Sequence, residues 1–299
     1  MKRKYLIVLA GSPRGGEKTW ESMYKYLLNN LDADLAICCG KDIDDQSSLY
    51  KNAKYKWLFE EYDNWLEYYK NNSQLIALDY FNKGIETGLY NSGSVHFAIK
   101  DIILKNYLDV LKEYEYIIYT RFDQFYIDYH PEIYDDSILI PEGEDYFGVC
   151  DRHAVFPSKY SEDVLDICNF INSEEAFKNL GDYVNCETTY FNHLKYLKLD
   201  KKIKRIKRFQ FTTSNEGDRT RWRVAKYNLW FVKGIKLKYP YEFVKSFKNR
   251  LDKYSFVENL KNSPLLYVNY VFLLCRKLLS PFFPKKFKNL TTEYVLKEK

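Results

Sequence analysis

Residues 5–10, YLIVLA, form an unbroken apolar, β-rich run that stops at Gly11, as a strand buried on both faces of a parallel sheet does. A glycine-rich loop, GSPRGGEKT, follows, and residues 20–31 then set Met23, Tyr24, Leu27, Leu28 and Leu31 at helical spacing. Residues 35–39 give a second short strand, closed by Gly40. Strand, loop, helix and strand in this order make a βαβ unit. That unit commits the chain to an α/β fold with a mainly parallel sheet flanked by helices.

The remaining elements are read by the same periodicities. Between residues 48 and 85 Tyr55, Trp57, Leu58, Tyr62, Trp65, Leu66 and Tyr69 recur at helical intervals, predicting one or two helices over a sheet edge. The NSGS cap signal opens a helix over residues 91–112, and residues 116–120 are a strand. Residues 138–140 and 146–150 are read as strands, 161–172 and 186–197 as helices, and 203–211 as a basic strand-like stretch. The division expected is a catalytic domain over residues 1–262 and a helical extension over residues 263–299.

Composition closes off several classes of function. A hydrophobic share of 46% excludes a disordered chain. The six cysteines show neither Cys-x-x-Cys pairs nor zinc spacing, and read as small buried hydrophobes in a reducing compartment. MKRK runs into an apolar stretch too short for a signal peptide or a spanning helix, so the expected location is cytoplasmic. The net charge of +5 includes the run KKIKRIKR at residues 201–208. No nucleic-acid-binding motif accompanies it, so an anionic small molecule or an anionic membrane face is the expected partner.

Three places carry chemistry. The loop GSPRGGEKTW exposes backbone N–H groups at a helix start, an arrangement that suits an anion. Gly11 and Gly16 have Walker spacing, but Glu17 stands at the lysine position and would turn a carboxylate towards phosphate. Arg121 and Asp123 follow the strand at residues 116–120, at a strand end where open α/β sheets bind ligands. Asp123 is a hard oxygen ligand of the kind that holds Mg or Mn on a diphosphate. Asp151 and His153 follow the strand assigned to residues 146–150, and Glu187 opens a helix. A carboxylate there can take a proton from an attacking hydroxyl, or simply complement the helix dipole.

Taken in order, these features resemble GT-A-fold glycosyltransferases, in particular those that build bacterial capsule, lipopolysaccharide and large-virus surface glycans. The resemblance spans roughly residues 4–225. It implies a nucleotide-sugar donor lying against Gly11, Ser12, Pro13 and Arg14, with Asp123 on the metal or the donor diphosphate. It also implies Glu187 as catalytic base, Asp151 and His153 about the sugar, and a glycan acceptor. Arg121 departs from the family pattern, since it stands where the first Asp of Asp-x-Asp is expected. Arg219 and Arg221 are then the candidates to neutralise the diphosphate.

Two rivals stay open. A sulfotransferase would use Arg14, Lys18 and Thr19 around an adenylated sulfate donor, and a non-catalytic glycan-binding protein would keep the fold without the chemistry. The tail is apolar over residues 265–283 but interrupted by Asn269, Arg276 and Lys277. It reads either as a docked helix or as an in-plane contact with the inner face of a membrane.

Overall fold

Strand β1, Arg3–Ala10, is followed in unit 1 by β2 (Asp34–Gly40), β3 (Tyr55–Phe59), β4 (Tyr114–Thr120), and, skipping a short β5 (Gln124–Tyr126), by β6 (Ile138–Pro141), β7 (His153–Pro157) and β8 (Ile203–Ile206). The computed structural model describes residues 3–86, 93–133, 135–179, 185–215, 218, 227–228 and 234–279. The chain divides into two units. Unit 1 comprises Met1–Ser12, Leu31–Arg121 and Glu132–Ile206; unit 2 comprises Pro13–Asn30, Phe122–Pro131 and Lys207–Lys299.

In unit 1 the seven strands lie in the order β3-β2-β1-β4-β7-β6-β8. β1 runs parallel to β2 and β4, β2 to β3, and β6 to β8. Only β7 is reversed, antiparallel to β4 on one side and to β6 on the other. The α/β class and mostly parallel sheet expected from the opening βαβ unit are therefore present. Leu6 and Val8 of β1, Ile117 of β4 and Phe156 of β7 share one core with Phe97, Ile103 and Leu111 of the helix Gly93–Lys112.

Several elements differ from the periodicity reading. Residues 55–59 are an edge strand rather than helix: Trp57 and Phe59 face inward on alternate positions, and Trp57 stacks on Tyr107 at 4.5 Å. Closely spaced aromatics imitate helical spacing, and here their period-two subset governs. Residues 146–150 form no strand; they are a turn, and the strand begins at His153. The helix expected over residues 161–172 is two, Ser161–Leu165 and Ile167–Ile171, broken at Asp166. The stretch 203–211 contains β8 and the start of β9 (Gln210–Asn215), which belong to different sheets.

Unit 2 holds β5, β9, β10 (Tyr227–Asn228) and β11 (Ile235–Leu237) in the order β10-β11-β9-β5, all antiparallel. Phe211, Ile235 and Leu237 pack with Phe243 and Phe247 of the helix Pro240–Lys253. Arg208 and Glu242 form a completely buried ion pair at 3.1 Å, and Glu242 also accepts from the Thr212 backbone N–H. Such a pair is tolerable inside a core because its remaining lone pairs are also satisfied. All six cysteines are free thiols, and all but Cys275 are buried. Among the described residues no helix is long and apolar enough to cross a membrane.

Candidate active site

β1 and β4 are neighbours, yet β2 and β3 continue the sheet on one side and β7, β6 and β8 on the other. Such a reversal of strand order opens a crevice outside the carboxyl ends of the two central strands. Gly11 sits at the end of β1 with φ at +115°, a conformation that favours glycine, and donates its N–H to the Cys38 carbonyl at 3.0 Å. Ser12 is exposed beside it, and half-buried Arg121 follows β4.

The reversed strand delivers further groups to this crevice. His153 pairs with Thr120, so Asp151 and Arg152 lie beside the carboxyl end of β4. The Thr120 hydroxyl fixes them by donating to the Arg152 carbonyl at 3.3 Å. Glu187 enters from the first turn of the helix Cys186–Tyr196, whose Asn185 cap accepts from the Thr188 N–H at 2.7 Å. The Arg152 guanidinium lies 3.4 Å from Glu187 Oε1, with both side chains buried. The helix Gly93–Lys112 contributes His96 and Lys100; the Lys100 ammonium is buried 4.0 Å from the Tyr190 ring centroid.

The two carboxyl groups are driven apart. Burial opposes ionisation of Asp151, but His96, Arg152, Arg121 and Lys100 outweigh it and hold its carboxyl below the usual range. Asp151 keeps some accessible surface although protein encloses it closely, as a side chain on a crevice floor does. Burial first, and the Asp151 charge second, push Glu187 up to about 8 against the pull of Arg152. Burial lowers Lys100 to about 8 while Asp151 opposes the shift. A pair of carboxyls split in this way is how one site keeps an anion and a proton-exchanging group together at neutral pH. With Glu187 protonated, Lys100, Arg121 and Arg152 outnumber the carboxylates of Asp151 and Glu144, and the site is electropositive.

A strained loop walls the site. Gly143, Glu144, Tyr146 and Phe147 all have φ between 40° and 84°, and three of the four are not glycine. Residues in that region persist where their surroundings over-determine them, and they do so here. Asn185 Nδ2 and Thr188 Oγ1 both donate to the Tyr146 carbonyl at 3.1 Å, and Arg205 holds Asp145 at 2.8 Å. Phe147, at the crest, is 86% exposed. Gly148 is pressed so closely on the helix start that an added Cβ would lie 2.0 Å from the Glu187 carbonyl oxygen. Gly148→Ala must therefore displace the first turn that carries Glu187. We expect a stability loss of about 2–4 kcal/mol, read as a lower urea midpoint. An unchanged midpoint would show that the loop gives way instead.

No known family model matches this sequence, and no curated protein matches it significantly.

Unit 1 brings together Gly11, Ser12, Arg121, Asp151 and Glu187 from the sequence-predicted set. His153 is completely enclosed at the start of β7 and presents no surface. It also precedes its strand rather than following one, because β7 is antiparallel. Asp123 lies in unit 2, 3% exposed, with its carboxylate 3.9 Å from the buried Lys238 ammonium and its carbonyl accepting from the Thr213 N–H. A covered, lysine-paired carboxylate does not fit a divalent metal. Among the described residues no three His, Cys, Asp or Glu side chains are grouped to hold one. Pro13 and Arg14 also belong to unit 2, where the Arg14 carbonyl accepts from the Trp20 indole at 3.1 Å. Thr19, required by a sulfotransferase cradle, is completely buried and donates to the Gly15 carbonyl. Arg219 and Arg221 lie outside the described residues.

Sequence reasoning missed Arg152, His96 and Lys100. Lys100 had a signal: it falls on the same helix face as Phe97 and Ile103, and a lysine on an apolar stripe is rarely idle. Arg152 had none, because the apolar GVC at residues 148–150 reads as the strand and leaves Arg152 in the loop after it.

Proposed function

We propose that this chain is a glycosyltransferase of GT-A type, moving a sugar from a nucleoside-diphosphate donor to a glycan hydroxyl. The observation that carries this reading is the electropositive cluster at the sheet's switch point, with one ionised carboxylate and a second, Glu187, held near neutrality. The diphosphate is neutralised by Arg121 and Arg152, and Gly11 and Ser12 lie against the nucleotide. The ionised form of Glu187, a fraction of the molecules at neutral pH, takes the proton of the acceptor hydroxyl as its oxygen bonds to the anomeric carbon. The bond from that carbon to the donor phosphate oxygen breaks, and the electron pair leaves with the nucleoside diphosphate. A base with a pKa near the working pH suits such a proton transfer, and fixed cations beside a leaving phosphate stabilise its developing charge. Asp151 keeps Arg121, Arg152 and Lys100 charged and oriented. The mixed, mainly parallel sheet is compatible with the GT-A assignment.

The test is thermal denaturation with UDP, GDP, CMP or adenosine 3′,5′-bisphosphate, each with and without manganese. UDP or GDP should raise Tm, and to a similar extent without manganese, since arginine rather than an Asp-held cation meets the diphosphate. At a hundredfold excess over Kd the stabilisation is about 2.7 kcal/mol, which amounts to several degrees. A response to the bisphosphate alone would replace this reading with a sulfotransferase. Silence towards all four would favour a non-catalytic protein.

A further inference from the structure

The helix Pro264–Leu279 is apolar on two faces. One face is occupied: Tyr270 and Tyr267 meet Phe247 at 5.2 and 6.2 Å, and Leu266 and Leu273 pack on the same core. The other carries Leu265, Val268, Val271, Leu274 and Leu278, all exposed, and the helical repeat spreads them over one half of the helix surface. Asn269 does not interrupt it, since its side chain is buried and donates to the Leu265 carbonyl at 2.6 Å. The preceding helix, Phe256–Asn262, adds exposed Phe256, Val257 and Leu260, and its Phe256 ring meets Tyr267 at 5.3 Å. Contiguous apolar surface on this scale marks an interaction site.

Charge identifies the occupant. No Asp or Glu occurs anywhere between Glu258 and Glu293. Residues 263–299 hold seven Lys and Arg against two Glu, so these last 37 residues carry the chain's entire net charge of +5. A second copy of the same surface would bring like charge to like. An anionic lipid surface is complementary in both respects, taking apolar side chains below its headgroups and cations at their level, each worth about 1 kcal/mol. We infer that the exposed face of Pro264–Leu279, with Phe256, Val257 and Leu260, is an in-plane docking surface for anionic lipid. The transferase reading is not needed for this inference, and neither stands or falls with the other.

Flotation of the full-length protein with vesicles tests it. Phosphatidylcholine vesicles containing phosphatidylglycerol should carry the protein upward at low salt, pure phosphatidylcholine should not, and high salt should release most of it. Val257→Asp and Leu278→Asp alter side chains that are 70% and 71% exposed, so Tm should be unchanged. Truncating the helix would instead uncover the Phe247 cluster. The double variant should lower the vesicle-bound fraction at least tenfold. Absence of flotation at low salt, or equal flotation of the double variant, would overturn the inference. So would a dimer on size-exclusion chromatography that the double variant splits while the parent ignores both kinds of vesicle.

Discussion

Glu187→Gln should abolish most transferase activity while making the folded chain more stable in mild alkali. The substitution keeps the side chain's shape and removes its ability to accept a proton, a contribution of about 10²–10⁴-fold. The stability change has the opposite sign. Unfolded, the Glu187 carboxyl ionises at its ordinary 4.5; folded, burial and Asp151 keep it protonated up to about 8. Between those values the folded state holds a proton that the unfolded state has released, so the native side chain destabilises the fold increasingly as pH rises, and constantly above about 8. Glutamine has no such linkage. Its advantage is absent below 4.5, grows through neutrality and levels off above about 8, at an order of a few kcal/mol. Arg152 returns part of it, because in the variant it loses a carboxylate neighbour. Melting curves from pH 4 to 9, set beside turnover, test both halves. A variant less stable than the parent at pH 7 would show that Glu187 is already ionised in the native site at neutrality and that its carboxyl is not held near the working pH.

Asp151→Asn should act on the same site through the remaining charges. Lys100, Arg121 and Arg152 would lose the charge of Asp151. Breaking a buried charge balance from one side costs about 3–5 kcal/mol. The Asp151 carboxyl is held below its usual range when folded, so its stabilisation is present at neutral pH and disappears as pH falls through its folded value. Parent and variant should therefore converge in acid. The site's answer to the lost anion is to ionise Glu187. With Asp151's repulsion gone and Arg152 still beside it, the Glu187 titration should move down from about 8 towards the ordinary carboxylate range. The pH midpoint of slow donor hydrolysis reads that movement directly. A midpoint that stays near 8 would mean the two carboxyls do not sense one another.

The sequence displayed the sheet's frame and part of its site, for identifiable reasons. β1 and β4 were legible because both are continuous apolar runs ending at a glycine or a charged residue, and Gly11 and Arg121 inherit their places from those ends. Glu187 was legible because the helix read over residues 186–197 places it in the first turn. The reversed strand was not. A short buried strand such as HAVFP has no alternating pattern, while GVC upstream looked equally apolar. The misplacement hid the fact that Asp151 and Arg152 precede β7 and meet the end of β4 through cross-strand pairing. The surroundings of Asp123 were hidden for a different reason: strand-end position says where a backbone points, not which lysine, more than a hundred residues later, lies beside the carboxylate. Lys238 is that residue.

Unit 2 is assembled from residues 13–30, 122–131 and 207–299, so the backbone passes between units five times. Synthesis thus follows an awkward schedule. When Ile206 has been made, unit 1 has all its strands, but β5 and the helix Glu17–Met23 still await β9, which follows at once, and Pro240–Lys253, which begins at residue 240. During that interval Phe125, Tyr126 and Ile127 are apolar surface without a home, the kind of exposure that recruits chaperones. The interleaving also closes the usual route by which domains are recombined. No single cut frees either unit as one continuous segment, so the two must be inherited, and engineered, together.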